Sequence, residues 1–312
     1  MKRSRVCLAV AVLGCCFVAA AKTPPSSRPD ASDTAHALFL KRMGEKVVEL
    51  GLEASYYENA SGLTKKSRTC AADLLKLGLA AVANPTLARI WAATNRTVSI
   101  GGPHARQERL VHGYTTLKGY PAFARRYPFL GGKGGSLSYS DLTVRAHVIL
   151  TEVRGVRLLI ALAGQRCEDD PFALDLEICD LVAAELAGNP RPAAPRLEAL
   201  EASGGGYAYA TLDGRIRRES PHARRPQVPA STTKIMTALC CLDLVRDVSR
   251  KMTVRKRDIV GGSGYACQDG DEITYEDALY SMMLPSSNTL AESVATGAGE
   301  FLLKDFEKGT ER

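Results

Sequence analysis

Two different hydrophobic periods divide the chain. In residues 33–94 and 231–312, apolar positions recur every three or four residues, which is the spacing of one helix face. In residues 97–163 and 207–218, the apolar residues fall instead into short β-branched and aromatic runs, which is typical of strands. The pattern predicts an α/β (α+β) protein in which one domain can hold both halves of the chain.

Turn and cap residues set the bounds of the individual elements. The predicted helices cover 35–50, 71–84, 86–94, 171–187, 229–246, a helix opened by Thr274 and ended at Pro285, and 288–297. The predicted strands form two hairpins, 142–153 with 156–163 and 207–212 with 215–218. Residues 188–206 are rich in Pro, Ala and Gly and are predicted to be a linker.

The N-terminus has the pattern of an export signal. Residues 1–21 begin with basic residues, continue as an apolar run and end in Ala19-Ala20-Ala21, as secretory signal peptides do. The apolar run is shorter than the roughly 20 residues that span a bilayer. We expect a mature protein in the periplasm or at the cell envelope, with residues 22–34 as a flexible lead. Lipid attachment at Cys15 is the alternative.

Composition and charge exclude several classes of protein. With 45% hydrophobic and 24% charged residues, the 312-residue chain can bury a real core. The formal charge of +7 includes three basic residues of the signal, which leaves +4 and no basic stripe, so a nucleic-acid partner is not expected. The cysteines have no metal-ligand spacing, and Cys240 and Cys241 are predicted to be buried free thiols. We expect no metal and no cofactor.

A serine and a lysine three residues apart are the strongest candidates for chemistry. In the segment PASTTKIMTAL (229–239), Ser231 stands at a predicted helix start and Lys234 follows on the same face. A partly desolvated lysine can take the proton of a serine and so make it a nucleophile. The alternative is an ordinary serine cap followed by a surface lysine.

A second candidate lies in the segment LPSSNT (284–289), between two predicted helices. Ser286 and Asn288 are two residues apart in this loop and can point into one cleft, as a proton relay and as an amide that holds a peptide carbonyl. The alternative is a Ser/Asn helix cap.

Together these segments resemble the penicillin-recognising serine enzymes, specifically the D-alanyl-D-alanine carboxypeptidases. That family has Ser-x-x-Lys, then Ser-x-Asn, and later Lys-Thr-Gly on a strand. The resemblance runs through residues 252–295 and implies a β-lactamase/transpeptidase-like fold, an antiparallel sheet flanked by helices with an all-helical lobe. No Lys-Thr-Gly follows Asn288 in this chain.

The missing half of the family pattern resembles the front of the chain. Residues 39–63, 69–82 and 171–187 are similar to family segments that normally follow Ser-x-Asn, and 128–140 occupies the place of the Lys-Thr-Gly strand. This predicts a single, circularly permuted catalytic domain over 35–312, with the later half of the family order in 35–187 and the earlier half in 207–312. Permutation at exposed sites is tolerated. The alternative is two unrelated partial domains or a mispredicted gene.

The third motif departs from the family. Lys133-Gly134-Gly135 stands where Lys-Thr-Gly is expected, so the hydroxyl that would help to hold a substrate carboxylate is absent. Lys133 keeps the charge, Gly135 keeps the last position of the motif, and Ser136 is a candidate for the missing hydroxyl. The alternative is that 131–135 is only a glycine-rich turn.

By resemblance, the substrate is the D-Ala-D-Ala end of a peptidoglycan stem peptide, and β-lactams are inhibitors. Ser231 would attack the penultimate D-Ala carbonyl and Lys234 would take its proton, while Ser286 would relay a proton to the leaving D-Ala and Asn288 would hold the substrate amide.

Two further roles belong to the third motif, again by resemblance. Lys133 would attract the terminal carboxylate, and the backbone N–H groups of Ser231 and Ser136 would form the oxyanion hole. The rivals are a β-lactamase or DD-endopeptidase on the same fold, and a catalytically impaired wall-binding protein. We expect a monomer, with a helix-swapped dimer as the alternative.

Overall fold

The central sheet joins strands from both halves of the chain. The computed structural model describes residues 31–138, 143–166 and 170–310. Its strands are β1 (Asn95–Ile100), β2 (Arg106–Val111), β3 (Phe129–Ser138), β4 (Thr143–Val153), β5 (Val156–Arg166), β6 (Gly206–Thr211), β7 (Arg217–Glu219), β8 (Lys251–Thr253) and β9 (Glu272–Thr274). Strands β3 to β7 form one antiparallel sheet in that order, so β5 of the front half pairs with β6 of the back half. The predicted α/β class and the antiparallel sheet are confirmed.

Most of the helices lie close to their predicted positions. The helices are α1 (Ala31–Glu49), α2 (Ala71–Ala83), α3 (Pro85–Ala92), α4 (Tyr120–Arg126), α5 (Pro171–Ala187), α6 (Pro195–Ala202), α7 (Thr233–Leu244), α8 (Tyr275–Met283) and α9 (Asn288–Thr310). Of these, α4 and α6 were not predicted. The predicted cap of α8 is confirmed, because the Thr274 hydroxyl accepts the Asp277 N–H at 3.1 Å.

Residues 188–206, predicted to be a linker, contain the short helix α6. Leu197 and Leu200 are three residues apart and both are buried, so this short helix presents one apolar face. Its first turn is held from α5, where the Glu177 carboxylate accepts the N–H groups of Arg196 and Leu197. The helix was not predicted because the Pro, Ala and Gly content of 188–206 is typical of a linker and only these two leucines indicate a helix face.

Both terminal helices are longer than predicted. Helix α1 begins at Ala31, within the segment predicted to be a flexible lead, and Asp33 in its first turn suits the positive end of the helix dipole. Helix α9 continues to Thr310 instead of ending at 297. The two helices touch where Gly299 meets the backbone of Ala35, since a Cβ on Gly299 would lie 2.0 Å from the Ala35 carbonyl oxygen. Their mutual packing sustains the extra turns.

Two hydrophobic cores lie on opposite faces of the sheet. On β4, neighbouring Val148 and Ile149 are both buried and belong to different cores, as the alternation of a strand requires. The first core takes side chains from α1, α2, α3, α7, α8 and α9, and therefore from both halves of the chain. The second lies under α4, α5 and α6. By their contacts, the described residues form one compact unit.

Three further predictions concern the cysteines, the membrane and the N-terminal signal. Cys240 and Cys241 are buried free thiols, as predicted. Among the described helices, none combines the length and the apolar character needed to cross a membrane. The predicted signal peptide, Cys15 and Cys167 lie outside the described residues.

Two glycine substitutions test the contact between α1 and α9. Gly299→Ala should destabilise the protein by about 1–3 kcal/mol, the usual cost of overpacking, because its methyl group meets the Ala35 backbone. Gly44→Ala, at an open position of α1, should stabilise it by up to about 1 kcal/mol, since alanine favours helix. Urea unfolding of both variants measures these changes. Equal effects of the two substitutions would show that the close contact is not made.

Candidate functional site

The predicted site residues meet at one cavity, at the edge strand of the sheet. It has a volume of about 330 Å³ and lies between β3, the start of α7 and the loop before α9. The predicted residues that line it are Lys133, Gly135, Ser136, Ser231 and Ser286. Lys234 and Asn288 are buried beside it, and the Lys234 amine is hydrogen-bonded to both Ser231 and Asn288. The structure therefore brings together all the residues that the sequence singled out.

A strained backbone turn presents Ser231. The serine lies in a 3-10 turn, residues 230–232, directly before α7. Ala230 has a φ of +47°, a left-handed conformation that costs a residue with a side chain roughly 1 kcal/mol or more. Gly62 packs against this turn, and a Cβ there would lie 1.8 Å from the Ala230 carbonyl oxygen. The close approach of a glycine thus fixes the turn that carries the serine.

The Lys234 amine is completely buried and contacts three oxygen atoms. It donates to the Ser61 carbonyl at 2.7 Å and to the Asn288 side-chain oxygen at 2.7 Å, and it lies 3.0 Å from the Ser231 hydroxyl. Carbonyl and amide oxygens can only accept hydrogen bonds. In its neutral form, therefore, the amine uses both of its N–H groups on these two oxygens and turns its lone pair to the Ser231 hydroxyl.

Burial favours that neutral form. Desolvation lowers the pKa of Lys234 well below that of an ordinary lysine, and the nearby charge of Lys133 lowers it further. The Glu292 carboxylate acts in the opposite direction, but its own hydrogen bonds go to His36 and to the Ser61 N–H. Lys234 can consequently accept a proton from Ser231 at a pH well below that at which an ordinary lysine loses its own proton.

A second lysine and serine face the same cavity. The Lys133 amine donates to the Ser286 hydroxyl at 2.9 Å and to the Gly134 carbonyl at 2.6 Å. Burial lowers the pKa of Lys133 to about 7. Ser286 has a φ of +67°, so its backbone too is held in the left-handed region. The pair can pass a proton at neutral pH, which is more than the simple attraction of a carboxylate that the sequence suggested for Lys133.

The glycines of the third motif lie on a strand and not in a turn. Residues 133–136 belong to β3, which runs antiparallel to β4. A Cβ on Gly135 would lie 2.3 Å from the backbone nitrogen of Ser231, so only glycine lets the strand approach the serine this closely. Ser136 is the next residue of β3; it is exposed and lines the cavity.

Sequence reasoning missed four residues at this site. Ser61 supplies its carbonyl to Lys234, and His112, Tyr114 and Arg145 line the cavity. None belongs to a short motif. Arg145 reaches the site through the register of β4, His112 and Tyr114 through the segment before α4, and Ser61 through the loop between α1 and α2, so no pattern in a single sequence indicates them.

The hydrogen bonds of His112 determine which of its ring nitrogens carries the proton. Its Nδ1 accepts the Tyr114 N–H at 3.2 Å, and its Nε2 is 3.2 Å from the Gly132 carbonyl oxygen, to which it must donate. Burial, and then the charge of Lys133, lower the pKa of His112 to about 4. The ring is therefore neutral at pH 7, with the proton on Nε2.

The described part of the chain has no group of three or more His, Cys, Asp or Glu side chains placed to hold a metal ion. Comparison of the chain with family models, curated proteins and solved structures finds no match. The geometry of the site is therefore the guide to its chemistry. That geometry is a serine beside a desolvated lysine, which is suited to nucleophilic catalysis.

The pH dependence of Ser231 reactivity tests the role of Lys234. A fluorophosphonate should label Ser231 at a rate that rises as Lys234 loses its proton, at a pH well below that at which ordinary lysines titrate. Lys234→Met should lower this rate by roughly 10²–10⁴, as expected for loss of a general base. The exposed Lys251→Met serves as the matched control. A rate that is unaffected by Lys234→Met would contradict the assignment. Peptide mass spectrometry identifies the labelled serine.

Proposed function

We propose that the protein is a serine-type D-Ala-D-Ala carboxypeptidase that forms an acyl-enzyme, with a β-lactamase/transpeptidase-like fold in circularly permuted order. One observation supports this most: Lys234 contacts both Ser231 and Asn288, while Lys133 contacts Ser286. These are the three motifs of the resemblance, and they converge although the third comes first along the chain.

In the acylation step, Ser231 Oγ attacks the carbonyl carbon of the penultimate D-Ala and its proton passes to Lys234. The backbone N–H groups of Ser231 and Ser136 stabilise the oxyanion. Groups of this kind typically contribute 10²–10³ in rate. The peptide C–N bond then breaks, an ester to Ser231 remains, and Ser286 gives its proton to the amine of the leaving D-Ala.

Proton balance returns the site to its starting state. Ser286 regains its proton from Lys133, whose pKa of about 7 suits both directions of transfer. Lys234 then releases to solvent the proton it took from Ser231, and Lys133 takes one up from solvent. In the second step, water attacks the ester and gives a proton to Lys234, which passes it to the Ser231 oxygen as the ester C–O bond breaks, so Ser231 leaves as the free hydroxyl. The products are D-Ala and a peptide shortened by one residue.

The proposal also covers the substrate, the inhibitors and the cellular location of the enzyme. The substrate is a peptidoglycan stem peptide, β-lactams are inhibitors that acylate the same serine, and the predicted signal peptide places the protein in the periplasm or at the cell envelope. A β-lactamase or DD-endopeptidase would share the acylation step. A catalytically impaired wall-binding protein is favoured by Gly134 and by the inverted order of the two halves, and the intact contacts of Lys234 and Ser286 argue against it.

Labelling with a fluorescent penicillin tests the proposal. The wild-type protein should be labelled covalently, and Ser231→Ala should lose the label because it lacks the attacking oxygen. Ser99→Ala, on the exposed surface of β1, should label as the wild type does. Release of D-Ala from a peptide ending in L-Lys-D-Ala-D-Ala, measured in parallel, should also depend on Ser231.

Two results would contradict the proposal. Equal labelling of Ser231→Ala would show that another residue is the nucleophile. Covalent labelling without release of D-Ala would favour one of the alternatives, the β-lactamase, the DD-endopeptidase or the impaired wall-binding protein.

A further inference from the structure

A tyrosine occupies the space of the missing hydroxyl in the third motif. A Cβ on Gly134 would lie 2.7 Å from the Tyr114 hydroxyl oxygen and 2.9 Å from its ring. The phenol therefore excludes any side chain at position 134. The glycine in Lys133-Gly134-Gly135 is thus not simply a loss of threonine, because another hydroxyl group stands in the same place.

The Tyr114 hydroxyl is held firmly and has no partner. The residue is only 5% exposed, and its hydroxyl oxygen makes no hydrogen bond within the described part of the chain. Its ring stacks on His112 at 5.4 Å and packs edge-on against Phe172 at 5.6 Å. Burial raises the pKa of Tyr114, so the phenol keeps its proton and can donate it to a hydrogen bond. A buried polar group without a partner is costly, and such groups often belong to binding sites.

A second unpaired donor lies at the same cavity. Arg145 is paired with Ser136 across β3 and β4, and it lines the cavity together with Tyr114 and Lys133. Its Nη1 atom is buried and has no hydrogen-bond partner among the described residues. The Tyr114 hydroxyl and Arg145 Nη1 are thus two donors without an acceptor, at a cavity lined by the cationic side chains of Lys133 and Arg145. A carboxylate supplies that acceptor, since each of its oxygens takes hydrogen bonds and carries negative charge.

We propose that the Tyr114 hydroxyl, beside the Arg145 guanidinium, donates a hydrogen bond to the carboxylate of the substrate in place of the hydroxyl that Gly134 lacks. The assignment rests on the proposed function, because it names which residues of that site hold the end of the substrate. It also replaces Ser136, the candidate that the sequence suggested for this hydroxyl.

The test compares benzylpenicillin with its methyl ester, which blocks the carboxylate. The rate constant for acylation of Ser231, followed by intact-protein mass spectrometry, should be larger for the free acid in the wild type. Tyr114→Phe removes only the hydroxyl and should reduce this preference roughly ten- to hundredfold, the range for a hydrogen bond to a charged group. Tyr120→Phe, in the same aromatic cluster but outside the cavity lining, should keep the preference.

A double variant that removes the hydroxyl at position 114 and introduces one at position 134 makes the test stronger. Tyr114→Ala should lose the preference for the acid, and adding Gly134→Thr to it should restore part of that preference, because threonine then has room to supply the hydroxyl. Thermal melting of each variant shows that it is folded.

The outcomes separate this proposal from the proposed function. If the wild type is acylated equally by acid and ester, or if Ser136→Ala loses the preference while Tyr114→Phe keeps it, the assignment to Tyr114 is overturned and the proposed function stands. If neither compound acylates Ser231 of the wild type, the proposed function fails and this assignment fails with it.

Discussion

The Lys234 amine is buried among oxygen atoms from three distant segments of the chain, and the chemistry of the cavity depends on that burial. In water a lysine is charged and cannot take a proton from a serine. Here desolvation disfavours the charge, while the Ser61 carbonyl and the Asn288 amide use up the N–H groups and leave the lone pair for Ser231. The same contacts link front-half Ser61 to the back-half motifs, so folding of both halves is required to make the base.

Close backbone approaches complete the arrangement. Gly62 lies against the strained turn at Ala230, and Gly135 lets β3 reach the backbone nitrogen of Ser231. Strain of this kind, of the order of 1–3 kcal/mol per residue, persists only where surrounding structure enforces it. Here the two buried cores and the five-stranded sheet hold the strained residues in place. Both lysines of the cavity are therefore already desolvated before any substrate arrives.

Much of this structure could be predicted from the sequence, and what could not has a physical cause. Periodicity located most helices and the two hairpins, and cap chemistry placed Thr274 at the start of α8. It missed the seven-residue helix α4, and it missed α6, whose short apolar face is only Leu197 and Leu200. The motif spacing found Ser231 and Lys234, because residues three apart share a helix face. Tyr114 and Arg145 were missed because they reach the cavity through strand register and packing between distant segments. The permuted family order remains a proposal.

The most direct measurement is an NMR titration of lysine side chains labelled with ¹⁵N, with Lys234→Met and Lys133→Met used to assign the two resonances. If Lys234 is the base, its amine titrates well below the ordinary lysine pKa of about 10.4, and that of Lys133 titrates near 7. A Lys234 resonance that titrates together with the exposed lysines would show that the amine is charged at neutral pH, and the account of Ser231 activation would be wrong.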